Sequence, residues 1–283
     1  MDRFDRNVRF FGAEGQAKLR NAHVAVVGCG GLGQHVIQQL AFLGVGKLTL
    51  IEDETLSRSN LNRYVLARHD DPIPGTHKID IALRAITAID PTIEILPIRN
   101  SIRSRKAFDA LRPAQSVFGC LDNDGARLVL NEYAKAYLKE YYDLASDIEQ
   151  DAGIRFGGRV VRVDHTPGCL VCLEQIDLAA AREDLESEAA RRDRRKIYGV
   201  DADLLDEGGP SVVSINGVVA SLGVTEYMLS VTGVRPPRRL LTYRGDRGIV
   251  TTGVVESPPS CYFCKTLSGA GASAGVERYL EAA

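Results

Sequence analysis

A glycine-rich loop between a strand and a helix constrains the fold of this chain more than any other feature. The loop, Gly28-Cys-Gly-Gly-Leu-Gly33, follows the β-branched run His23–Val27 and precedes residues 34–43, whose apolar positions have helical spacing. A second apolar run, Lys47–Ile51, comes next. Strand, turn, helix and strand make a βαβ unit, and such crossovers join parallel strands. The sequence therefore predicts a parallel sheet covered by helices.

The alternation continues through the first half of the chain. Periodicity predicts strands over residues 93–98 and 116–120, and helices over residues 78–88, 105–111 and 125–138. This order is typical of an α/β fold with a Rossmann-like, doubly wound sheet.

The pattern changes after Asp143. Residues 153–165 alternate in hydrophobicity around Gly157-Gly158, which predicts a hairpin with its turn at the glycines. Residues 174–196 predict a solvated helix or crossing segment, 210–229 a buried helix, and 239–243 and 248–255 a pair of strands. We therefore expect the parallel first half to continue into antiparallel strands, with the last glycine and alanine residues loosely held.

Composition narrows the class of protein. The chain has 283 residues, 45% of them hydrophobic and 25% charged, as in a globular protein of one large domain or two small ones. Its net charge of −2 argues against nucleic acid as a partner. The opening MDRFDRNVRFFG carries five charges and no apolar stretch, so we expect a cytoplasmic protein without a membrane anchor.

The glycine loop predicts a nucleotide site. Glycines let the backbone approach phosphate at a helix start, and Glu52 stands where an acidic residue binds a ribose hydroxyl. The alternative is a turn that only lets helix pack on strand. Asn60, Arg63 and Lys78 are donors suited to triphosphate, and Asp122 follows a strand where a carboxylate holds magnesium. None of the ten tyrosines has a lysine four positions later, which disfavours a nicotinamide dehydrogenase without excluding it.

These motifs, in this order, resemble the ThiF/MoeB/HesA family of ubiquitin-activating-enzyme-like adenylyltransferases. The resemblance covers nearly the whole chain and rests on Arg3-Phe-Asp-Arg-Asn7, Gly12-Ala-Glu-Gly-Gln16, the glycine loop, Ser59-Asn-Leu-Asn-Arg63, Lys78, Leu121-Asp-Asn123 and two Cys-x-x-Cys pairs. It implies that ATP adenylates the C-terminal glycine carboxylate of a ubiquitin-like or sulfur-carrier protein, with release of pyrophosphate. It also implies a single adenylation domain over 1–283, with an ATP-binding core in 1–150 and a zinc-stapled, partner-docking half in 151–283.

The resemblance also implies residue roles. Gly28, Gly30, Gly31 and Gly33 would make room for ATP, and Glu52 would hold the ribose, although the family usually has aspartate there. Phosphate charge would be neutralised by four residues, Ser59, Asn60, Arg63 and Lys78. Magnesium would be held by Asp122, with Asn123 beside it. Arg6 would act as an arginine finger across a homodimer interface. The simpler alternatives are a surface ion pair for Arg63, a helix-face lysine for Lys78, a cap for Asp122 and a solvated arm for Arg6.

The chain contains six cysteines. Cys169, Cys172, Cys261 and Cys264 form two pairs that predict a tetrahedral structural zinc site, with redox-active thiols as the alternative. Structural zinc supplies about 10–16 kcal/mol, more than the about 4–5 kcal/mol that closing the long loop between the pairs costs. Cys29 and Cys120 are expected to be packing residues. Residues 173–260 contain no cysteine, so no thioester relay is expected in the crossing segment.

Three other functions stay open at this point. The same chemistry could act on a small-molecule, peptide or tRNA-linked carboxylate. The chain could instead be a zinc-containing nicotinamide dehydrogenase, or a non-catalytic zinc-ribbon interaction module.

Overall fold

The computed structural model describes residues 3–150, 153–186, 209–253 and 260–281. Eight strands form one sheet in the order β3-β2-β1-β4-β5-β6-β7-β8. Their bounds are β1 His23–Val27, β2 Lys47–Ile51, β3 Glu94–Ile98, β4 Ser116–Gly119, β5 Glu140–Glu149, β6 Arg155–Val163, β7 Leu240–Arg244 and β8 Ile249–Thr252. Pairing from β3 to β5 is parallel and pairing from β5 to β8 is antiparallel, which confirms the predicted fold class.

Helices cover both faces of the sheet. They are α1 Asp5–Asn21, α2 Gly31–Leu43, α3 Lys78–Ile89, α4 Arg105–Leu111, α5 Asp124–Ala136, α6 Leu178–Asp184, α7 Val213–Thr232 and the short α8 Tyr262–Lys265. Strand β1 shows why two layers form: Val24 and Val26 pack into one hydrophobic core, whereas Ala25 and Val27 pack into the other. Alternate residues of a strand point to opposite faces, so a strand that is apolar throughout must be covered twice.

The predicted hairpin at Gly157-Gly158 is wrong. Residues Arg155–Val163 form one continuous strand that pairs with β5 on one side and β7 on the other. The glycines permit this close approach, because a Cβ on Gly157 would lie 2.0 Å from the Tyr243 carbonyl oxygen and one on Gly158 would lie 2.4 Å from that of Ala145. A pair of glycines thus marks crowding between strands here, not a turn.

The predicted looseness of the final residues is also wrong within the part of the tail that is described. Short 3₁₀ turns over Gly271–Ala274 and Val276–Tyr279 hold Val276 fully buried. Glu277 accepts two hydrogen bonds from Arg105, at 2.6 and 2.9 Å, and the hydroxyl of Tyr279 donates to the buried Glu132 at 2.6 Å. Ion pairs and a buried carboxylate therefore anchor the tail to α4 and α5.

Two other predicted segments are described only in part. The crossing segment forms α6, with Ala181 buried and its neighbours mostly exposed. Residues 187–196 of that segment and residues 254–255 of the last predicted strand lie outside the described residues. The long apolar segment forms α7 as predicted, and none of the described helices is long and apolar enough to cross a bilayer.

Candidate active site

A cleft of about 710 Å³ opens at the carboxyl ends of the parallel strands. The chain order reverses there, since β2 and β3 lie on one side of β1 and β4 and β5 on the other. Ligands bind at this switch point in doubly wound sheets. Most of the predicted site residues line the cleft: Gly28, Gly30, Gly31, Glu52, Asn60, Arg63, Lys78, Asp122 and Asn123.

The glycines of the loop have two different structural reasons. Gly28 has a φ of +89°, and a Cβ there would lie 2.4 Å from the Cys120 carbonyl oxygen. A Cβ on Gly33 would lie 2.0 Å from the carbonyl oxygen of Gly28. These two positions therefore need glycine for packing, and Gly33 does not line the cleft. A Cβ on Gly30 would meet only the Tyr64 hydroxyl, at 3.8 Å, so this glycine keeps the start of α2 open to a ligand.

Glu52 follows β2 and holds the glycine loop through a hydrogen bond to its backbone. Its carboxylate accepts hydrogen bonds from three backbone amides, those of Cys29 at 2.8 Å and of Asp53 and Glu54 at 3.0 Å each. Burial raises the pKa of this carboxyl, and Lys78 partly opposes that shift. Two carboxylate oxygens offer about four acceptor positions, so a ribose hydroxyl can still be accommodated. The longer glutamate side chain reaches the glycine loop itself.

Two cations stand on the wall beside the loop. Lys78 is the first residue of α3, is 8% exposed, and forms an ion pair with Glu54. Arg63 donates to the Ser59 carbonyl oxygen at 2.7 Å and to the Asn62 side chain at 3.0 Å. Arg63 has no ion-pair partner among the described residues, whereas Lys78 faces both Glu54 and the Glu52 carboxylate, whose raised pKa it opposes. Both cations line the cleft, where an anionic ligand can reach them.

Ser59 and Asn60 build the turn that carries Arg63. Asn60 accepts from the Ser57 amide at 3.1 Å, and the Ser57 and Ser59 hydroxyls lie 2.9 Å apart. These contacts close a 3₁₀ turn over Arg58–Asn60. Ser59 does not line the cleft, whereas Asn60 does. The structure therefore gives both residues a role in shaping the loop.

Asp122 and Asn123 lie between β4 and α5 and have different roles. Asn123 caps α5, because its side chain accepts from the Ala126 amide at 2.8 Å. It also donates to Asp122 at 3.2 Å, which orients that exposed carboxylate toward the cleft. Because Asn123 is the cap, Asp122 is available to a hard cation such as magnesium.

The crossing segment closes one side of the cleft. Asp184, at the end of α6, accepts from the Gly125 amide at 3.0 Å. A Cβ on Gly125 would lie 2.6 Å from the Asp184 Cβ, so α6 docks directly on the first turn of α5. This contact was not predicted, since it joins segments that are distant in the sequence.

A buried ion cluster supports the loop that carries Asp122. Arg127 donates to the Leu121 carbonyl oxygen at 2.6 Å. Its Nε lies 3.8 Å from the fully buried Asp143, which also accepts from Tyr141 at 2.8 Å and Arg159 at 3.3 Å. Sequence reasoning missed this cluster, because its members are ordinary in isolation.

Arg6 lies away from the cleft of its own chain. It is an exposed residue of the first turn of α1, and that end of the chain is held by the Arg3 hydrogen bond to the Ile89 carbonyl oxygen at 2.7 Å. Ile89 ends α3, which starts at the cleft with Lys78 and is about 18 Å long at 1.5 Å per residue. Within one chain, Arg6 therefore lies near the end of α3 that is far from the cleft.

The four paired cysteines converge on one point. Their sulfurs all lie within 4.8 Å of one another, with Sγ–Sγ distances of 3.6 Å for Cys169–Cys172, 3.8 Å for Cys169–Cys261 and 3.6 Å for Cys172–Cys264. Tetrahedral zinc with bonds of about 2.3 Å requires sulfurs about 3.8 Å apart. The Gly168 amide donates to the Cys264 sulfur at 3.4 Å, a contact that supports a thiolate ligand. The site fits zinc and leaves no open ligand position.

Comparison with known proteins identifies the family of the chain. A profile of the ThiF family matches residues 4–262. The molybdopterin-synthase adenylyltransferase of Escherichia coli is 33% identical over 180 residues, 62% of this chain and 69% of that protein. The SAMP-activating enzyme E1 of Haloferax volcanii is 33% identical over 137 residues, 48% of this chain, and the match spans only half (50%) of the relative's length.

Solved structures share the fold. E. coli MccB with ATP has a TM-score of 0.68 and 23% identity, over 93% of this chain and 74% of that one. PaaA has a TM-score of 0.63 and 18% identity, over 90% of this chain and 82% of that one. At these identities the likeness concerns the fold alone. With the family profile extending over nearly the whole sequence, the chain belongs to the ThiF family.

Proposed function

We propose that this protein is an ATP-dependent adenylyltransferase that activates the C-terminal glycine carboxylate of a ubiquitin-like or sulfur-carrier protein. One carboxylate oxygen attacks the α-phosphorus of ATP. The bond from that phosphorus to the oxygen bridging to the β-phosphate breaks, and pyrophosphate leaves with the electron pair. Acyl-adenylate and pyrophosphate are the products, and the step transfers no proton.

One observation carries the proposal: Gly30, Arg63, Lys78 and Asp122 face a single cleft at the switch point of the sheet. An anionic carboxylate must approach an anionic triphosphate in this reaction. Fixed cations and helix-start amides offset that repulsion where charge develops. A cleft for hydride transfer does not need such a concentration of phosphate donors.

Each residue has a defined task in this mechanism. The open start of α2 at Gly30 receives phosphate oxygens, and Arg63 and Lys78 neutralise them. Glu52 holds the glycine loop and accepts from the ribose. Asp122 would hold magnesium, which screens the charge of the departing pyrophosphate when bound. The four zinc-binding cysteines take no part in this reaction, and their role is structural.

The sequence also bears on the fate of the product. Residues 173–260 contain no cysteine, so the crossing segment offers no thiol to capture the acyl group. The acyl-adenylate is therefore handed to a nucleophile on another molecule. We also propose that the chain acts as one domain, as a homodimer and in the cytoplasm. Residues 1–150 bind ATP in this arrangement, and the zinc-stapled residues 151–283 dock the partner.

Pyrophosphate exchange tests this function. The protein is mixed with ATP, magnesium, labelled pyrophosphate and a small protein ending in Gly-Gly that co-purifies with it. We expect label to enter ATP only when all components are present. Arg63→Ala, Lys78→Met and Asp122→Asn are each expected to reduce exchange by at least about a hundredfold, in line with the loss of a transition-state charge contact.

Lys47→Met is the matched control for Lys78→Met. Lys47 pairs with Glu94 at the amino end of β2, far from the cleft, so the variant should exchange at the wild-type rate. Retained exchange in all three site variants would contradict the proposed site. Exchange that depends on a free peptide, a small acid or an aminoacyl-tRNA, and not on a Gly-Gly protein, would contradict the proposed substrate.

A further inference from the structure

Tyr64 is a buried residue of the cleft wall whose hydroxyl lies beside the glycine loop. It follows Arg63 directly, is 4% exposed, and lines the same wall as Lys78. Its hydroxyl oxygen lies 3.8 Å from the position that a Cβ on Gly30 would take. Gly30 precedes the first residue of α2, so the phenol is aimed at the start of that helix.

The hydroxyl has no hydrogen-bond partner among the residues that the structure describes. A buried polar group without a partner is unfavourable, and folded proteins satisfy nearly all of them. The ring has a clear packing role, since it joins Leu56 and Ile81 in a small hydrophobic cluster and lies 5.7 Å from the Lys78 ammonium. Phenylalanine would meet both of those needs. Packing therefore explains the ring but not the oxygen.

The surroundings favour a donor that serves a ligand. Burial first, and then the Glu52 carboxylate, raise the pKa of Tyr64 far above its ordinary value, so the phenol keeps its proton. Glu52 is engaged by backbone amides, and Glu54 is paired with Lys78. The hydroxyl lies next to Gly30 and the positive start of α2, where an anion is stabilised.

We propose that the Tyr64 hydroxyl donates a hydrogen bond to a non-bridging phosphate oxygen of ATP bound over Gly30 and Gly31. This inference rests on the proposed function and adds a substrate-contacting residue to it. Tyr64 supplies a neutral donor beside the Lys78 charge, and the same ring limits the positions that the lysine side chain takes up. One side chain thus contacts the phosphate and positions a second contact.

Tyr64→Phe is the direct test, because it removes one oxygen and keeps the ring. Calorimetric titration with the non-hydrolysable analogue α,β-methylene-ATP should show about tenfold or greater weakening, as expected for a lost hydrogen bond to a charged group. Affinity for adenosine, which lacks phosphate, should not change. The melting temperature of the ligand-free variant should equal or exceed that of the wild type, since an unsatisfied hydroxyl has been removed.

Tyr227→Phe is the matched control. The Tyr227 hydroxyl is also buried without a described partner, but its ring packs against Phe118 and Tyr142 in the core. This variant should show the same stability change as Tyr64→Phe and bind the analogue as the wild type does.

Two results would overturn the proposal. Tyr64→Phe could bind the analogue within twofold of the wild type, or it could weaken adenosine and the analogue equally. In both cases the proposed function survives, provided that the wild type binds the analogue and catalyses exchange. A wild-type protein that binds no ATP analogue would instead overturn the proposed function itself, and the inference with it.

Discussion

The Glu52 carboxylate accepts a hydrogen bond from the Cys29 amide at 2.8 Å, which ties the end of β2 to the loop after β1. The same side chain also accepts from the amides of Asp53 and Glu54. A residue expected to contact the nucleotide is thus also the residue that shapes the nucleotide loop. Substitutions at this position separate the two contributions.

Glu52→Asp shortens the side chain by one methylene group. We expect the shorter carboxylate to lose the Cys29 contact and leave the loop less well positioned, raising the KM for ATP by about tenfold, the effect of roughly one charged hydrogen bond. Exchange kinetics at varied ATP concentration measure this. An unchanged KM would show that the length of Glu52 is immaterial. Glu94→Asp, the same shortening at an exposed residue of β3 that does not line the cleft, serves as the control.

Glu52→Gln tests the pH dependence of stability. Burial raises the pKa of this carboxyl above 4.5, so the folded protein retains the proton at a higher pH than the unfolded chain does. Stability contributed by Glu52 therefore decreases as pH rises from about 4.5 through the raised pKa, and is constant above it. Urea unfolding across this range should show that slope in the wild type and a smaller one in the variant. Parallel curves would contradict the raised pKa.

Gly28→Ala and Gly30→Ala should affect different properties, the first stability and the second ATP binding. The first places a Cβ 2.4 Å from a carbonyl oxygen at a φ of +89°, so we expect a loss of stability of more than about 1–3 kcal/mol. The second should leave stability unchanged and weaken ATP binding by at least about tenfold, because its methyl group fills phosphate space. Thermal unfolding and ATP titration measure the pair.

Gly233→Ala provides the reference for Gly28→Ala. Gly233 has a φ of +76° and open space around it, so this variant reports the backbone strain alone. Gly28→Ala should be clearly less stable than Gly233→Ala. Equal losses would mean that the contact with the Cys120 carbonyl oxygen is relieved without cost.

Cys261→Ser should abolish zinc binding. We expect one zinc per wild-type chain by elemental analysis and a loss of at least about 3 kcal/mol in the variant, equivalent to about 6–12 °C in Tm for a chain of this size. Cys120→Ala, which leaves all four ligands in place, should retain the metal. If a chelator removes the metal from the wild type without lowering its Tm, zinc does not stabilise the fold.

Arg6→Ala tests action between subunits. Arg6 lies at the far end of the helix layer from its own cleft, so an arginine finger at this position has to serve a partner's site. We expect the variant to lose at least about a hundredfold in exchange activity. Mixing Arg6→Ala with Lys78→Met chains should restore up to about a quarter of wild-type activity, because each mixed dimer has one complete site. No recovery in verified mixed dimers would exclude this role.

The parallel core was predictable because its strands are buried on both faces and separated by helices. Strands β1 and β2 therefore appear in the sequence as short apolar runs, and their observed bounds equal the predicted ones. Strand β6 was misinterpreted because a Gly-Gly pair suits both a hairpin turn and a close approach of neighbouring strands. Only the positions of Tyr243 and Ala145 decide between these possibilities.

The candidate site was predictable where a residue lies within a motif. Arg63, Lys78 and Asp122 follow recognisable local patterns, and the fold brings them to one cleft. Glu54, Tyr64 and Arg127 were missed because their significance depends on neighbours in space. Tyr64 becomes noticeable only when its buried hydroxyl is seen to lack a partner, and no spacing along the chain carries that information.

The docking of α6 on α5 connects the four-cysteine cluster to the nucleotide cleft. Helix α6 begins shortly after Cys172, and its last residue, Asp184, accepts the Gly125 amide beside Asp122 and Asn123. The four-cysteine cluster therefore lies directly before the helix whose end forms one wall of the cleft. We expect removal of zinc to speed hydrogen exchange at the Gly125 amide. The zinc-free protein should also lose affinity for nucleotide before its sheet unfolds.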